Sequence, residues 1–321
     1  MSVTIEPRIL TTVNVACAAD DNYALPLAVM LRSAGRSLAE GSEIMAHVLD
    51  DGLTGTDVAS IERSLPPNVR IKWCRPGSQT TGLPLWGRMT ATTYQKLTLG
   101  DWLPAEVTRA IWLDCDLLVL DDLTALVESL DPGMIAGAVV DQRVPRVGSR
   151  LAVAGWHVLG LDPEEPYFNA GVMVIDVVKW RTHGVARRSF EYLERFGKSV
   201  TFWDQEALNA VLAWGHWQPL PARWNVHPSL QSMLRKHAVP EPAIVHFSGN
   251  LKPWTHPGSD LWSSLFYAIL DETEWSTWRP ATNMLTTMAK GYEQSRLRRW
   301  LYPLEAWGTE VQRCVAVLTS R

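Results

Sequence analysis

Apolar runs and helical patterns alternate through roughly the first 140 residues. Val13–Ala19 is a nearly unbroken apolar run that ends at Asp20-Asp21-Asn22, as a buried strand stopped by a polar turn would. A helical stretch follows at about Leu25–Ala34. The alternation then predicts strands at Glu43–Leu49, Val69–Cys74, Arg109–Asp114 and Met134–Val140. Helices are predicted between them at Asp57–Leu65, stopped by Pro66-Pro67, and at Thr92–Leu103, closed by Pro104. Strands separated by helices in this way make repeated β-α units, and so an α/β fold with a mixed, mainly parallel sheet flanked by helices. Farther along, Gly171–Asp176 and Ala243–Phe247 read as strands, and Val185–Phe196 and Asp204–Ala213 as helices, with no internal repeat.

Composition narrows the class. The 321 residues are 46% hydrophobic and 20% charged with a net charge of −4, which excludes disorder and gives no reason to expect a nucleic-acid partner. The four cysteines (Cys17, Cys74, Cys115 and Cys314) lie far apart and form no disulfide framework, which suits a reducing compartment. No apolar run reaches the ~18 residues of a spanning helix, and the N-terminal segment lacks the basic start and apolar block of a signal peptide. The expectation is a soluble, cytoplasmic protein. Sixteen tryptophans are many for this length. Their flat faces suit sugar C–H surfaces, although packing is the simpler explanation for any single one. The chain divides by pattern into residues 1–258 and a basic, Trp-rich helical extension at 259–321. Within the extension, Arg296, Arg298 and Arg299 stand beside Trp300, Leu301 and Tyr302, a candidate contact with the inner membrane face or with a second copy. A solvated helix carrying ordinary charges gives the same pattern.

Both acidic clusters of the first half fall at strand ends, where ligands collect in such sheets. Asp114 and Asp116 flank Cys115 after the apolar strand. On an extended segment, positions i and i+2 point the same way, so the two carboxylates could share a hard divalent cation, Mg²⁺ or Mn²⁺, of the kind that also binds a diphosphate. Cys115 would then face away and pack. A solvated strand end is the alternative. Asp20-Asp21-Asn22-Tyr23 could hydrogen-bond a nucleoside, or simply cap a helix. His246 could complete a metal site begun by two carboxylates, Gly249 would let a phosphate approach the backbone, and Lys252 would neutralise it. Together these features describe a nucleotide-diphosphate site with one metal.

Six blocks then carry a resemblance. Asp20-Asp21-Asn22-Tyr23-Ala24, Thr92-Thr93-Tyr94, Leu113-Asp-Cys-Asp-Leu-Leu-Val, Tyr167-Phe-Asn-Ala-Gly-Val-Met-Val-Ile-Asp176, Asp204-Gln-Glu-Ala-Leu-Asn209 and His246-x-x-Gly-x-x-Lys-Pro-Trp254 occur in the order found in glycosyltransferase family 8. The chain resembles the bacterial lipooligosaccharide α-galactosyltransferases and their glucosyl relatives over about residues 12–258, and glycogenin more distantly. The resemblance implies the GT-A nucleotide-diphospho-sugar transferase fold, a UDP-glucose or UDP-galactose donor, and Mn²⁺, with Mg²⁺ as an alternative. By position, Asp114, Asp116 and His246 resemble the metal ligands. Ala18, Asp21 and Asn22 match the uridine contacts, and Gly249 and Lys252 the diphosphate contacts; Cys115 lies between the two metal-ligand positions on the donor-binding loop. Asn169, Asp204, Gln205 and Asp141 match residues around the transferring sugar. Lys96 stands where relatives often carry Arg, keeping the charge without the bidentate fork.

The resemblance further implies retention of anomeric configuration, an α-linkage, and a glycan, glycolipid or protein-linked acceptor. Gln205 is a poor nucleophile because its amide oxygen is neutral, so front-face attack by the acceptor hydroxyl is the expected route. Asn169, Asp204 and Gln205 could equally be a turn residue, a helix N-cap and its neighbour. Acceptor contacts are expected from Leu83–Met89, with Trp86, and from Arg143–Leu161, with Trp156. A self-glycosylating primer and a non-catalytic UDP-sugar-binding protein are the alternatives to transfer onto a separate acceptor. A sugar-1-phosphate nucleotidyltransferase is disfavoured because no Gly-rich, Lys-containing N-terminal loop is present.

Overall fold

The computed structural model describes residues 11–75, 91–228, 241–249, 252–256 and 260–281. The basic tail, the 83–89 segment with Trp86, and Cys314 lie outside the described residues.

The predicted β-α succession is present. Strand β1 (Thr12–Ala19) leads through a 3-10 turn at Asp21–Tyr23 into helix α1 (Ala24–Ser37). Strand β2 (Glu43–Asp50), helix α2 (Gly55–Ser64) and strand β3 (Val69–Cys74) follow. Strands β1, β2 and β3 pair in parallel, and β1 also pairs in parallel with β4 (Arg109–Leu113). Strand β7 (Phe168–Asp176) runs antiparallel to both β4 and β6 (Ala136–Val140). With the short edge strand β8 (Trp217–Pro219), parallel to β6, the seven-stranded order is β3-β2-β1-β4-β7-β6-β8. A separate two-stranded ladder joins β5 (Leu117–Val119), which leads into helix α4 (Leu123–Glu128), to β9 (Ile244–His246).

One predicted helix divides. Residues 92–103 form a 3-10 turn at Ala91–Lys96 and a single helical turn, α3 (Leu99–Trp102). Threonines at 92, 93 and 98 and Gly100 weaken an α-helix here. In addition, Arg181 draws off backbone carbonyls, donating to Gly100, Leu103 and Pro104 at 2.7, 2.8 and 3.0 Å.

Two apolar layers sandwich the sheet. On one side α1 lays Leu27, Met30, Leu31 and Ala34 against Val13, Val15, Ile44 and Val48. On the other, Trp112, Met173 and Ile175 meet Trp180, Leu208 and Leu212. The latter come from helices α5 (Val177–Thr182) and α7 (Trp203–Leu212), beside α6 (Val185–Phe196). Fully burying each such aliphatic side chain contributes about 1.5–3 kcal/mol, and this is what holds the strand ends in place. Beyond β9, helix α8 (Leu261–Leu270) packs Phe266 and Leu270 against Leu25 and Val29 of α1, with Trp254 stacked on Phe266 at 5.4 Å. Most of the described tryptophans therefore serve packing. No helix among the described residues is long and apolar enough to cross a membrane.

Candidate active site

Strand order reverses between β1 and β4, and the crevice beyond their carboxyl ends is where an open α/β sheet takes its ligands. A cavity of about 820 Å³ occupies that place. Register brings its walls together. Leu113 pairs with Val172, so the Asp114 amide donates to Gly171 at 2.9 Å. Val139 pairs with Asn169 across the irregularity in β6, which sets Asp141 beside the start of β7. Leu117 pairs with His246, so the histidine stands next to Asp116 although they are distant in sequence.

Asp114, Cys115 and Asp116 sit in a turn between β4 and β5 rather than on the expected extended segment. Asp114 Oδ1 accepts from Trp112 Nε1 at 2.7 Å and lies 3.1 Å from Lys96 Nζ. Asp116 Oδ1 lies 3.3 Å from His246 Nε2, and its other oxygen pairs with Lys252. Burial alone would raise the Asp116 carboxyl, but Lys252 and His246 outweigh it and hold the group well below the usual carboxylate range. The turn also brings Cys115 to the cavity wall, where its thiol donates to the Ala18 carbonyl at 3.2 Å. A hydrogen bond with Cys17, then burial and the neighbouring aspartates, push that thiol well above its ordinary range.

Ligand atoms of Asp114, Asp116 and His246 all lie within 4.8 Å of one another. His246 Nδ1 sits 2.9 Å from Asn225 Oδ1, while Asn225 Nδ2 donates to Asn169 Oδ1 at 2.8 Å. With Nδ1 held by Asn225, Nε2 is the ring nitrogen that faces Asp116, at 3.3 Å. Nε2 and the two carboxylates are the donor set that fits a hard divalent ion. Gly171 makes room for this ring: a Cβ there would clash with His246 Cε1. Neither Asn225 nor Gly171 was singled out as a site residue from the sequence, and nothing around Asn225 signals its role.

The second group of predicted residues also converges. Asp141 Oδ1 accepts from the Arg143 and Val144 amides at 2.8 and 3.0 Å. Its Oδ2 accepts from Asn169 Nδ2 at 3.0 Å and Gln205 Nε2 at 3.3 Å. Gln205 Oε1 in turn accepts from the Ala170 amide at 3.1 Å. Lys96, buried, donates to Asp204 at 2.8 Å. Burial disfavours its charge, but Asp114 and Asp204 outweigh this and raise Lys96 above the ordinary lysine range. Burial raises the Asp204 carboxyl, Lys96 pulls it down, and the Asp114 charge adds to the rise. Trp203 opens α7 at φ 42° and also lines the cavity. Such a backbone is costly for a bulky residue, and it sets the direction in which Asp204 and Gln205 leave the turn.

Of the residues expected to contact a nucleoside, and their neighbours, Ala18, Asp20, Asn22 and Tyr23 line the cavity. Asp20, rather than Asp21, faces it and caps the turn by accepting from the Asn22 amide at 3.1 Å. Asp21 is exposed and accepts from Asn22 Nδ2 at 3.0 Å. Gly249, at φ 102°, and Lys252 complete the far wall, with no atom near the place of a Cβ on Gly249. Of the expected acceptor segment, Arg143 lines the cavity, whereas Trp156 packs half-buried against the core. The family model described as glycosyl transferase family 8 matches residues 14–257, and the chain belongs to that family. It is 27% identical to General stress protein A of Bacillus subtilis (strain 168), covering 84% of this chain and 96% of that one. It is 24% identical to the lipopolysaccharide 1,3-galactosyltransferase of Salmonella typhimurium, covering 82% and 79%. The structure of the galactosyltransferase LgtC in complex with donor and acceptor sugar analogues superposes at a TM-score of 0.70 and 28% identity, covering 82% of this chain and 96% of that one. The fold is therefore GT-A, and the protein is a glycosyltransferase.

Proposed function

We propose that the protein transfers a hexose, glucose or galactose, from its UDP-sugar to a hydroxyl of a separate glycan or glycolipid acceptor, with retention and an α-linkage. The single observation carrying this reading is the convergence of Asp114, Asp116 and His246 beside Lys252 in the same cavity that Asp141, Asn169 and Gln205 line. Mn²⁺ or Mg²⁺ held by Asp114, Asp116 and His246 would supply positive charge opposite the departing diphosphate. The chain's own contribution is positional. Lys252 adds a charge beside them, and Gly249 leaves its backbone approachable. Asn169, Asp141 and Gln205 form one hydrogen-bonded group against which the hexose is oriented.

No side chain there is suited to double displacement. Asp141 already accepts four hydrogen bonds, the Gln205 amide is neutral and held at both ends, and Asp204 is committed to Lys96. Transfer by front-face attack follows. The acceptor oxygen bonds to the anomeric carbon as the bond to the β-phosphate oxygen breaks, and the hydroxyl proton passes to the departing phosphate. The test is hydrolysis of UDP-glucose and UDP-galactose followed by NMR at early times. The first-formed free hexose is the α-anomer, and initial release of the β-anomer contradicts retention.

A further inference from the structure

Three of the cavity's basic side chains are Lys96, Lys252 and Arg143, and they differ in what they face. Lys96 pairs with Asp114 and Asp204, and Lys252 with Asp116. Arg143 has no carboxylate partner among the described residues. Its Nη2 lies 3.3 Å from His227 Nδ1 and donates to Ser248 Oγ, which itself lies 2.9 Å from His227 Nδ1. Its Nε is buried without a partner. A guanidinium on the cavity wall that is held by neutral groups, with no carboxylate to balance its charge, is set up for an anion.

Its place says which molecule would bring that anion. The Arg143 amide is bonded to Asp141, which also holds Asn169 and Gln205. Its side chain reaches Ser248, next to Gly249. Arg143 thus reaches from the Asp141, Asn169 and Gln205 group to Ser248 and His227, and unlike Lys96 and Lys252 it meets no carboxylate among the described residues. We propose that Arg143 is an acceptor-specificity residue that binds an anionic substituent, a carboxylate or a phosphate, on the acceptor sugar. This deepens the hexosyl-transfer reading and rests on it. A planar fork suits two oxygens of either group, whereas a neutral hydroxyl would leave the charge uncompensated.

The probes are methyl α-galactoside, methyl α-galacturonoside and galactose 6-phosphate, titrated by calorimetry into the full chain with UDP and Mn²⁺. The expected result is that one or both anionic probes bind at least about tenfold tighter than the neutral one. The two anionic arms then distinguish a uronate from a phosphorylated sugar. Arg143→Gln abolishes the preference by weakening the anionic probes alone, and Arg143→Lys keeps part of it. Equal affinity for all three probes in the unaltered protein overturns the proposal. So does a parallel loss for neutral and anionic probes in Arg143→Gln, which would mark a residue that only props Ser248 and His227. A carboxylate preference seen only between UDP-galacturonate and UDP-galactose would move the anion to the donor and overturn the acceptor assignment. Failure of UDP itself to bind would instead remove the underlying reading, and this inference with it.

Discussion

Asn225 Oδ1 lies 2.9 Å from His246 Nδ1, and this contact decides which ring nitrogen faces the aspartates. The same asparagine reaches Asn169 with its other amide atom, so one side chain ties the Asp114, Asp116 and His246 cluster to the Asn169, Asp141 and Gln205 group. Replacing it frees the imidazole to take the other tautomer. Asn225→Ala is expected to weaken Mn²⁺ binding by about 10–100-fold, as removal of an outer-shell partner does, and to lower the thermal transition because two buried partners lose their hydrogen bonds. Calorimetric titration with Mn²⁺ reads this directly.

Gly171 makes a sharper test of the same geometry. A methyl group at this position meets the His246 ring, and β7 is too deeply packed to retreat. Gly171→Ala is expected to swing the ring out and cost metal affinity at least as much as Asn225→Ala. Circular dichroism of the variant should stay that of the folded protein. Unchanged Mn²⁺ affinity would show that the ring is not a ligand.

Lys96 is the electrostatic keystone between Asp114 and Asp204. Removing one member of a buried ion pair leaves uncompensated charge, so Lys96→Met is expected to destabilise the fold by about 3–5 kcal/mol in urea unfolding. The double variant Lys96→Met with Asp204→Asn should recover part of this. Because Lys96 is raised above its unfolded value, its contribution is fully present below about pH 10 and drains away as pH rises further.

His227 gives the opposite sign. Burial, then the nearby His246 and Arg143 charges, hold it well below the ordinary histidine range. The unfolded chain takes up a proton near pH 6.5 that the folded chain resists, so stability present above that pH is lost as pH falls. His227→Gln should flatten the stability profile between pH 7 and 5, removing a slope of up to about 1.4 kcal/mol per pH unit. His47 and His183 are shifted the same way and keep a residual slope.

Much of this fold was legible because its strands are long and apolar. Val69–Cys74 and Val185–Phe196 fall where the pattern sets them, and β1 and β2 agree to within a residue. The site was legible because its blocks sit at strand ends in family order. What stayed hidden depends on pairing rather than pattern. Three-residue β5 has no periodicity to read, and although Ala243–Phe247 reads as a strand, nothing in its pattern names β5 as its partner; that ladder is what delivers His246 to Asp116. Asn225 and Arg143 act through neighbours distant in sequence, and a lone Asn or Arg in a loop looks like any other. The turn at 114–116 replaced an extended segment, which put Cys115 on the cavity wall rather than behind it.

The most direct test of the account is UDP binding with Mn²⁺ and then with EDTA, in the unaltered protein and in Asp116→Asn. Asp116 meets both His246 and Lys252, so a nucleotide-diphosphate site built on it should fail when its charge is removed. The account predicts UDP binding that needs the metal and is lost in the variant. UDP binding that is indifferent to both EDTA and Asp116→Asn would contradict it.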